Sequence, residues 1–364
     1  MAAKFIPRQT FPHYGSIPRS YYLGHHRAGL NKMKNMLSSI DYVVECRDYR
    51  VPVTSVNPMF EEALGSTRRL VVYTKRDLGA DPRPPVRQQV ILKLPILVQW
   101  LAHISHSLFS PQVEKTIQSF DPTSAVFFVS SSSRRDVSPI IRHLRDDAQG
   151  PDNLVGSRVM VVGMPNIGKS MLINGLRNYG VKRAKAAQSG GQPGVTRKIG
   201  TPIKIIERES GSHVYVLDTP GVFMPYVPDA ENMLKLALCG CVKDSVISSL
   251  TLADYLLYHI NLHDERSYRR WSEPTNEIGL LLENFARYTG LLAKGGIPNV
   301  DLAALTFIQK WRSGELGKFI LDDLQTEQHR RQEGLTESAT SITQALKADR
   351  MAKKGKGQQD TGSE

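Results

Sequence analysis

The residues Gly163-Met164-Pro165-Asn166-Ile167-Gly168-Lys169-Ser170 match the spacing G-x-x-x-x-G-K-[ST], whose chemistry is the holding of a polyphosphate. Backbone N–H groups of such a loop, and of the helix it opens, face phosphate oxygens at the positive end of the helix dipole. In this reading Lys169 reaches the β- and γ-phosphates, and the Ser170 hydroxyl ligates Mg²⁺. A second element agrees with the first. Asp218-Thr219-Pro220-Gly221 has the D-x-x-G form, with Asp218 serving the Mg²⁺ shell and the Gly221 N–H meeting the γ-phosphate. Between the two, the glycine-rich stretch 189–196 ends in Thr196, which suits a switch that orders around Mg²⁺ and the γ-phosphate.

A base reader is expected after D-x-x-G, and no N-K-x-D follows Gly221. It stands upstream as Thr74-Lys75-Arg76-Asp77, with Thr74 where asparagine is usual. Asp77 would accept from N1–H and the exocyclic amine of guanine, which predicts GTP over ATP. Thr74 lacks the amide that usually touches the base edge and braces the phosphate loop, which predicts weakened affinity. Ser130, Ser131 and Ser132 occupy the place of the loop that backs the base. The glutamine that orients water in signalling GTPases is replaced by Val222, followed by Phe223, and neither can hydrogen-bond a water.

Each of these residues needs an element to carry it. The runs 158–162, 70–73, 125–129 and 213–217 are rich in β-branched and aromatic residues, and each runs directly into a motif. The phosphate loop leads into a helix-compatible segment beginning at Ser170. Strand, loop and helix in that order predict a doubly wound, mostly parallel α/β sheet with its ligand at the carboxyl ends of the strands. Base reader, base-backing loop, phosphate loop, switch threonine and D-x-x-G follow one another in a circularly permuted order. Residues 86–120 read as helical, after a proline-clustered surface loop at 81–86. From residue 230, apolar residues at three and four spacing predict helices around 232–238, 252–260, 278–292 and 302–311, forming a small all-α domain with its own core. The expected divisions are a basic segment 1–20, a nucleotide domain 21–230, a helical domain 231–325, and a polar tail 326–364 that is disordered or partly helical.

The permuted order resembles the circularly permuted GTPases that assemble ribosomes, most of all the large-subunit assembly GTPases of bacteria and mitochondria. Further residues carry the resemblance over about residues 20–325. Asp41-Tyr-Val-Val-Glu-Cys-Arg-Asp-Tyr-Arg-Val-Pro52 is similar to a family segment, with Tyr49 in place of its alanine, and the stretches 294–301 and 312–318 look like two others. Tyr21-Tyr-Leu-Gly-His-His-Arg27 resembles the family's aromatic segment ending in G-H. By that likeness His25 is the water-positioning residue, with His26 an adjacent rival. The likeness also implies that Asn166 helps ligate K⁺ beside the phosphates. It implies GTP hydrolysis, binding to immature large-subunit rRNA, release upon hydrolysis, and a monomer in the mitochondrial matrix or peripheral on the inner membrane.

Composition leaves other readings open. Formal net charge is +12 over 364 residues, which suits a polyanionic partner. Residues 1–40 hold arginines, lysines and no acid, which fits a mitochondrial presequence or an RNA contact, although Pro7, Pro12 and Pro18 interrupt an amphipathic helix. A cytosolic or nucleolar ribosome-assembly GTPase therefore stays as an alternative. So does a nucleotide-regulated RNA-binding or membrane-peripheral adaptor with negligible turnover, because Val222 removes the usual glutamine. Three cysteines, Cys46, Cys239 and Cys241, exclude a disulfide framework and a cysteine zinc site, and no apolar run is long enough for a membrane span.

Overall fold

A computed structural model describes residues 5–12, 17–21, 24–65, 67–79, 111–130, 133–147, 156–183, 186–187, 199–207, 213–224, 226–227 and 229–333. Six strands form one sheet: β1 (Tyr42–Asp48), β2 (Arg69–Thr74), β3 (Ala125–Val129), β4 (Ser157–Gly163), β5 (Ile203–Ile206) and β6 (Val214–Asp218), in the order β3-β2-β1-β4-β6-β5. All neighbours are parallel except β5, which runs antiparallel to β6. Strand order reverses between β1 and β4. That reversal opens a crevice at the carboxyl ends, where open α/β sheets bind ligands. The loop of residues 164–168 leaves β4 there, and Asp48-Tyr49-Arg50 leaves β1.

Burial on both faces explains the sequence of the central strands. Val159, Met160, Val161 and Val162 are all buried, as are Leu70, Val71, Val72 and Tyr73. β1 is buried along all seven residues although it contains Glu45, Arg47 and Asp48. Those charges survive because each is paired: Arg47 bridges Glu45 at 2.8 Å and Asp121 at 2.7 Å, and Asp48 meets Arg50 and Lys75 at 2.9 Å each.

The helices are α1 (Gly24–Met36), α2 (Pro58–Leu64), α3 (Arg76–Gly79), α4 (Arg134–Asp147), α5 (Lys169–Val181), α6 (Ala230–Leu238), α7 (Ser249–His263), α8 (Ile278–Thr289), α9 (Val300–Arg312) and α10 (Leu324–Gln332). Residues 111–119 are also helical, while the loop expected at 81–86 and the rest of 86–110 lie outside the described residues. α6 to α9 match the helices expected from spacing, and α8 stops at Gly290 in the left-handed conformation (φ +73°). α10 crosses the boundary expected at 325/326, and its start is capped by Asp323, which accepts from the Gln325 and Thr326 amides.

The buried side chains of the helical part are continuous with those of the sheet. One buried cluster runs without a break from Val44, Val161 and Ile173 under the sheet, through Phe223 and Met233, to Tyr255, Phe285 and Phe307. β6 and α6 are joined by a short segment that is buried at Val222, Phe223 and Val227.

Residues 5–12 lie as a strap on the helical part. Arg8 pairs with the buried Asp254 at 2.6 Å, and the Asn276 amide donates to the Ile6 carbonyl at 2.9 Å. Phe11 packs edge-on against Tyr255 at 5.1 Å.

Candidate nucleotide site

The loop after β4 has the backbone of an anion cradle. Gly163 (φ +147°) and Gly168 (φ +97°) take conformations closed to most side chains, and Asn166 (φ +54°) is a non-glycine residue held in the left-handed region. A Cβ on Gly163 would lie 2.5 Å from the Cys46 carbonyl oxygen, so β1 and the loop meet without space for a side chain. Gly168 ends the loop and α5 begins at Lys169. Lys169 is buried, and its ammonium donates to the carbonyls of Met164 (2.7 Å) and Gly163 (3.3 Å), which folds it over the cradle. Burial pulls this lysine below its ordinary range, against the pull of Cys46 and Asp218. The three cysteines are free thiols, all buried. Burial pushes Cys46 up to about 12 and Cys241 up to about 11, and raises Cys239 as well.

The expected metal ligands come together. The Ser170 hydroxyl, in the first turn of α5, donates at 2.9 Å to Asp218 Oδ2 at the end of β6. This pair of hard oxygen donors fits Mg²⁺, which keeps several waters and takes one or two protein oxygens plus phosphate oxygens. Bound there, the ion would neutralise phosphate charge. The D-x-x-G loop leans on the phosphate loop. The Val222 N–H donates to the Gly163 carbonyl at 3.2 Å, and a Cβ on Gly221 would stand 2.5 Å from Pro165 Cα. Only glycine permits this approach. Thr196 and the stretch 189–196 lie outside the described residues, as do Ser131 and Ser132.

The base-reading loop also reaches this centre. The Thr74 hydroxyl lies against the carbonyls of Ile167 in the phosphate loop and of Arg47. The brace expected to be lost with the asparagine is thus made by a hydroxyl, because Thr74 is buried directly beside the loop. Lys75, itself left-handed (φ +57°), donates to the Asn166 carbonyl at 2.6 Å and to Asp48 at 2.9 Å. Burial alone would raise the Asp48 carboxyl, but Arg50 and Lys75 hold it well below the usual carboxylate range. Asp77 stands half-buried in the first turn of α3. The Ser130 N–H donates to Asp136 at 2.8 Å, which fixes the start of the base-backing loop.

Above the D-x-x-G loop runs α1. Its buried face is His26, Gly29, Leu30 and Met33, and a Cβ on Gly29 would sit 3.7 Å from Pro220 and from Val222. His25 is exposed and His26 buried, although the rings are 4.2 Å apart. The Tyr21 ring packs edge-on against both His26 and Phe223. Burial, with the charges of His25 and Lys169, pushes His26 down to about 4, so it is neutral at pH 7. The residue expected from position, His25, therefore points outward in this structure, while its rival occupies the face toward the site. Val222 and Phe223 are fully buried, which explains why apolar residues stand where a glutamine is usual.

Several residues of the site were not singled out for it in the sequence. Asp48 and Arg50 sit in the segment 41–52 without an assigned role. Asn57 caps α2 through the Met59 amide and donates to the Val222 carbonyl at 3.0 Å, tying α2 to the D-x-x-G loop. Its Asn-Pro start was a readable helix signal. Arg312 lies in the stretch 312–318 and Gly240 between Cys239 and Cys241, and neither carried an assigned role in the site.

Phosphate loop, Mg²⁺ ligands and base reader at the carboxyl ends of one sheet, in this chain order, define a P-loop GTPase with a circularly permuted nucleotide domain. A domain family described as "50S ribosome-binding GTPase" matches residues 158–283. "Mitochondrial GTPase 1" of Schizosaccharomyces pombe is 36% identical over 330 residues, which cover 88% of this chain and 94% of that protein. "Mitochondrial ribosome-associated GTPase 1" of Mus musculus is 35% identical over 334 residues, covering 86% and 93%. The solved structure of GNP-bound YlqF from T. maritima shares the fold, with a TM-score of 0.50 and 22% identity over 81% of this chain and 97% of its own. The chain belongs to the mitochondrial GTPase 1 family, and GTP and Mg²⁺ are the ligands of its nucleotide site.

Proposed function

We propose that this GTPase acts in maturation of the mitochondrial large ribosomal subunit, binding rRNA while GTP is bound and leaving upon hydrolysis. The observation that carries this is the match of residues 158–283 to a ribosome-binding GTPase domain, together with relatives named as mitochondrial and ribosome-associated. A net charge of +12 supports a polyanionic partner. The protein works as a monomer in the matrix, with peripheral contact to the inner membrane. Among the described residues no helix is long and apolar enough to cross a membrane.

Thr196 completes the Mg²⁺ shell, and Asn166 contributes to K⁺ binding beside the phosphates. Water is oriented by His25. Its exposure on the first turn of α1 supports slow turnover of the isolated chain, with a ribosomal surface needed to turn the imidazole inward. His26 holds that turn from beneath. GTP turnover measured with and without purified large subunits, in KCl and in NaCl, tests the proposal. Strong stimulation by subunits in K⁺ is expected for wild type, and little for His25→Ala, with GTP affinity unchanged. Equal stimulation of both proteins removes His25 from the mechanism. No stimulation by any ribosomal particle removes the ribosomal role.

A further inference from the structure

Asn166 is fixed from two sides. Its carbonyl accepts from Lys75, and its side-chain amide donates to the Gly240 carbonyl at 3.2 Å. Gly240 lies just beyond the end of α6 in the left-handed region (φ +80°). A Cβ there would stand 2.7 Å from Asn166 Nδ2 and 3.5 Å from Arg312 Cζ, so this glycine is wedged between the phosphate loop and the last residue of α9. Arg312 holds the same turn. Its Nε donates to the Leu238 carbonyl at 2.9 Å and its Nη2 to the Ala237 carbonyl at 2.8 Å, the latter also accepting from the Gly240 N–H at 2.9 Å. Its other contact is Asp244, at 2.8 Å.

We propose that Arg312 is a positioning residue for the phosphate loop, acting through Gly240 on Asn166. By clamping the last carbonyls of α6 it sets the direction of the Gly240 carbonyl, which in turn holds the Asn166 amide. The clamp lies between two parts of the chain whose relative position a partner could alter. Movement of α9 by a bound partner would then be felt at the nucleotide phosphates without any partner atom entering the site.

The test is a double-mutant cycle on the full chain, read as the dissociation constants of GTP and GDP. Arg312→Gln should weaken both nucleotides about tenfold, a loss on the scale of one charged hydrogen bond. In an Asn166→Ala background the same substitution should have almost no further effect, because the residue it acts through is gone. A merely structural arginine would weaken binding equally in both backgrounds, and that outcome overturns the proposal, as does unchanged affinity in Arg312→Gln. Should Arg312→Gln fail to fold, Asp244→Asn loosens the clamp from its exposed side. It should shift affinity in the same direction by a smaller factor, again only when Asn166 is present, and no shift overturns the assignment.

Discussion

Asp77, Lys169 and His26 each make a claim that one substitution can test. Asp77 offers a carboxylate to two donors that guanine has and adenine lacks. Asp77→Asn should therefore reduce the preference for GTP over ATP by about 10²-fold or more in a competitive titration, and an unchanged preference would refute the base reader. Lys169 is buried over the cradle with its ammonium on two loop carbonyls. Lys169→Ala should lower single-turnover hydrolysis by about 10²–10³-fold while the circular dichroism spectrum stays native. His26 gives a pH signature. Its folded pKa of about 4 lies below the ordinary 6.5, so the unfolded chain binds the proton more readily between those values. Stability from this group is complete above pH 6.5 and is lost as pH falls toward 4. Wild type should lose about 2 kcal/mol more than His26→Gln over that window in denaturant titrations at stepped pH, with 1.36 kcal/mol per pKa unit as the ceiling. Parallel pH curves for the two proteins would contradict a buried neutral imidazole.

At the level of elements, the strap of residues 5–12 is held by contacts that sequence separates by more than half the chain. Arg8 covers a buried carboxylate on α7, Asn276 bonds the strap backbone in both directions, and Tyr258 donates to the Gln9 carbonyl at 3.2 Å. Removing the arginine takes its charge and two hydrogen bonds away from the buried Asp254 carboxylate. Arg8→Ala should cost about 2–3 kcal/mol, read as a lower midpoint in urea, whereas Arg8→Ala in an Asp254→Asn background should cost much less. A midpoint within error of wild type would mean that the strap does not add to stability.

For the molecule as a whole, permutation places the nucleotide loops and the helical part on one continuous core. The D-x-x-G loop passes into buried Val222 and Phe223, and α6 begins at Ala230, so the γ-phosphate side and the helical part stand close in the chain. With a net charge of +12, association with ribosomal subunits should weaken steeply with salt. A protein making about six phosphate contacts would lose ~10³ in affinity from 50 to 200 mM salt. A co-sedimentation titration across that range measures it, and a flat salt response would argue for a protein rather than an RNA surface.

What the sequence by itself determined are the features written within a few consecutive residues. Gly163 to Ser170 carry strand end, cradle and helix start together, and Asp218 to Gly221 and Thr74 to Asp77 are as compact, so the class of ligand and the permuted order were legible. The strand β1 was not, because Glu45, Arg47 and Asp48 interrupt its apolar run and become tolerable only beside Asp121, Arg50 and Lys75 once the chain has folded. Nor was the choice between adjacent histidines. Successive helical residues point roughly 100° apart, and only the packing of Gly29 on Pro220 decides which imidazole is turned inward. Threonine in the base motif looked like the loss of a brace until its hydroxyl was seen against the Ile167 carbonyl. Arg312 stood in a stretch singled out by resemblance and Gly240 between two cysteines, but neither position said that it would meet the phosphate loop's support. The Asn166–Gly240 hydrogen bond spans 74 residues, and Arg312 reaches the same turn through carbonyls 74 and 75 residues away, contacts that exist only where tertiary packing has brought these segments together.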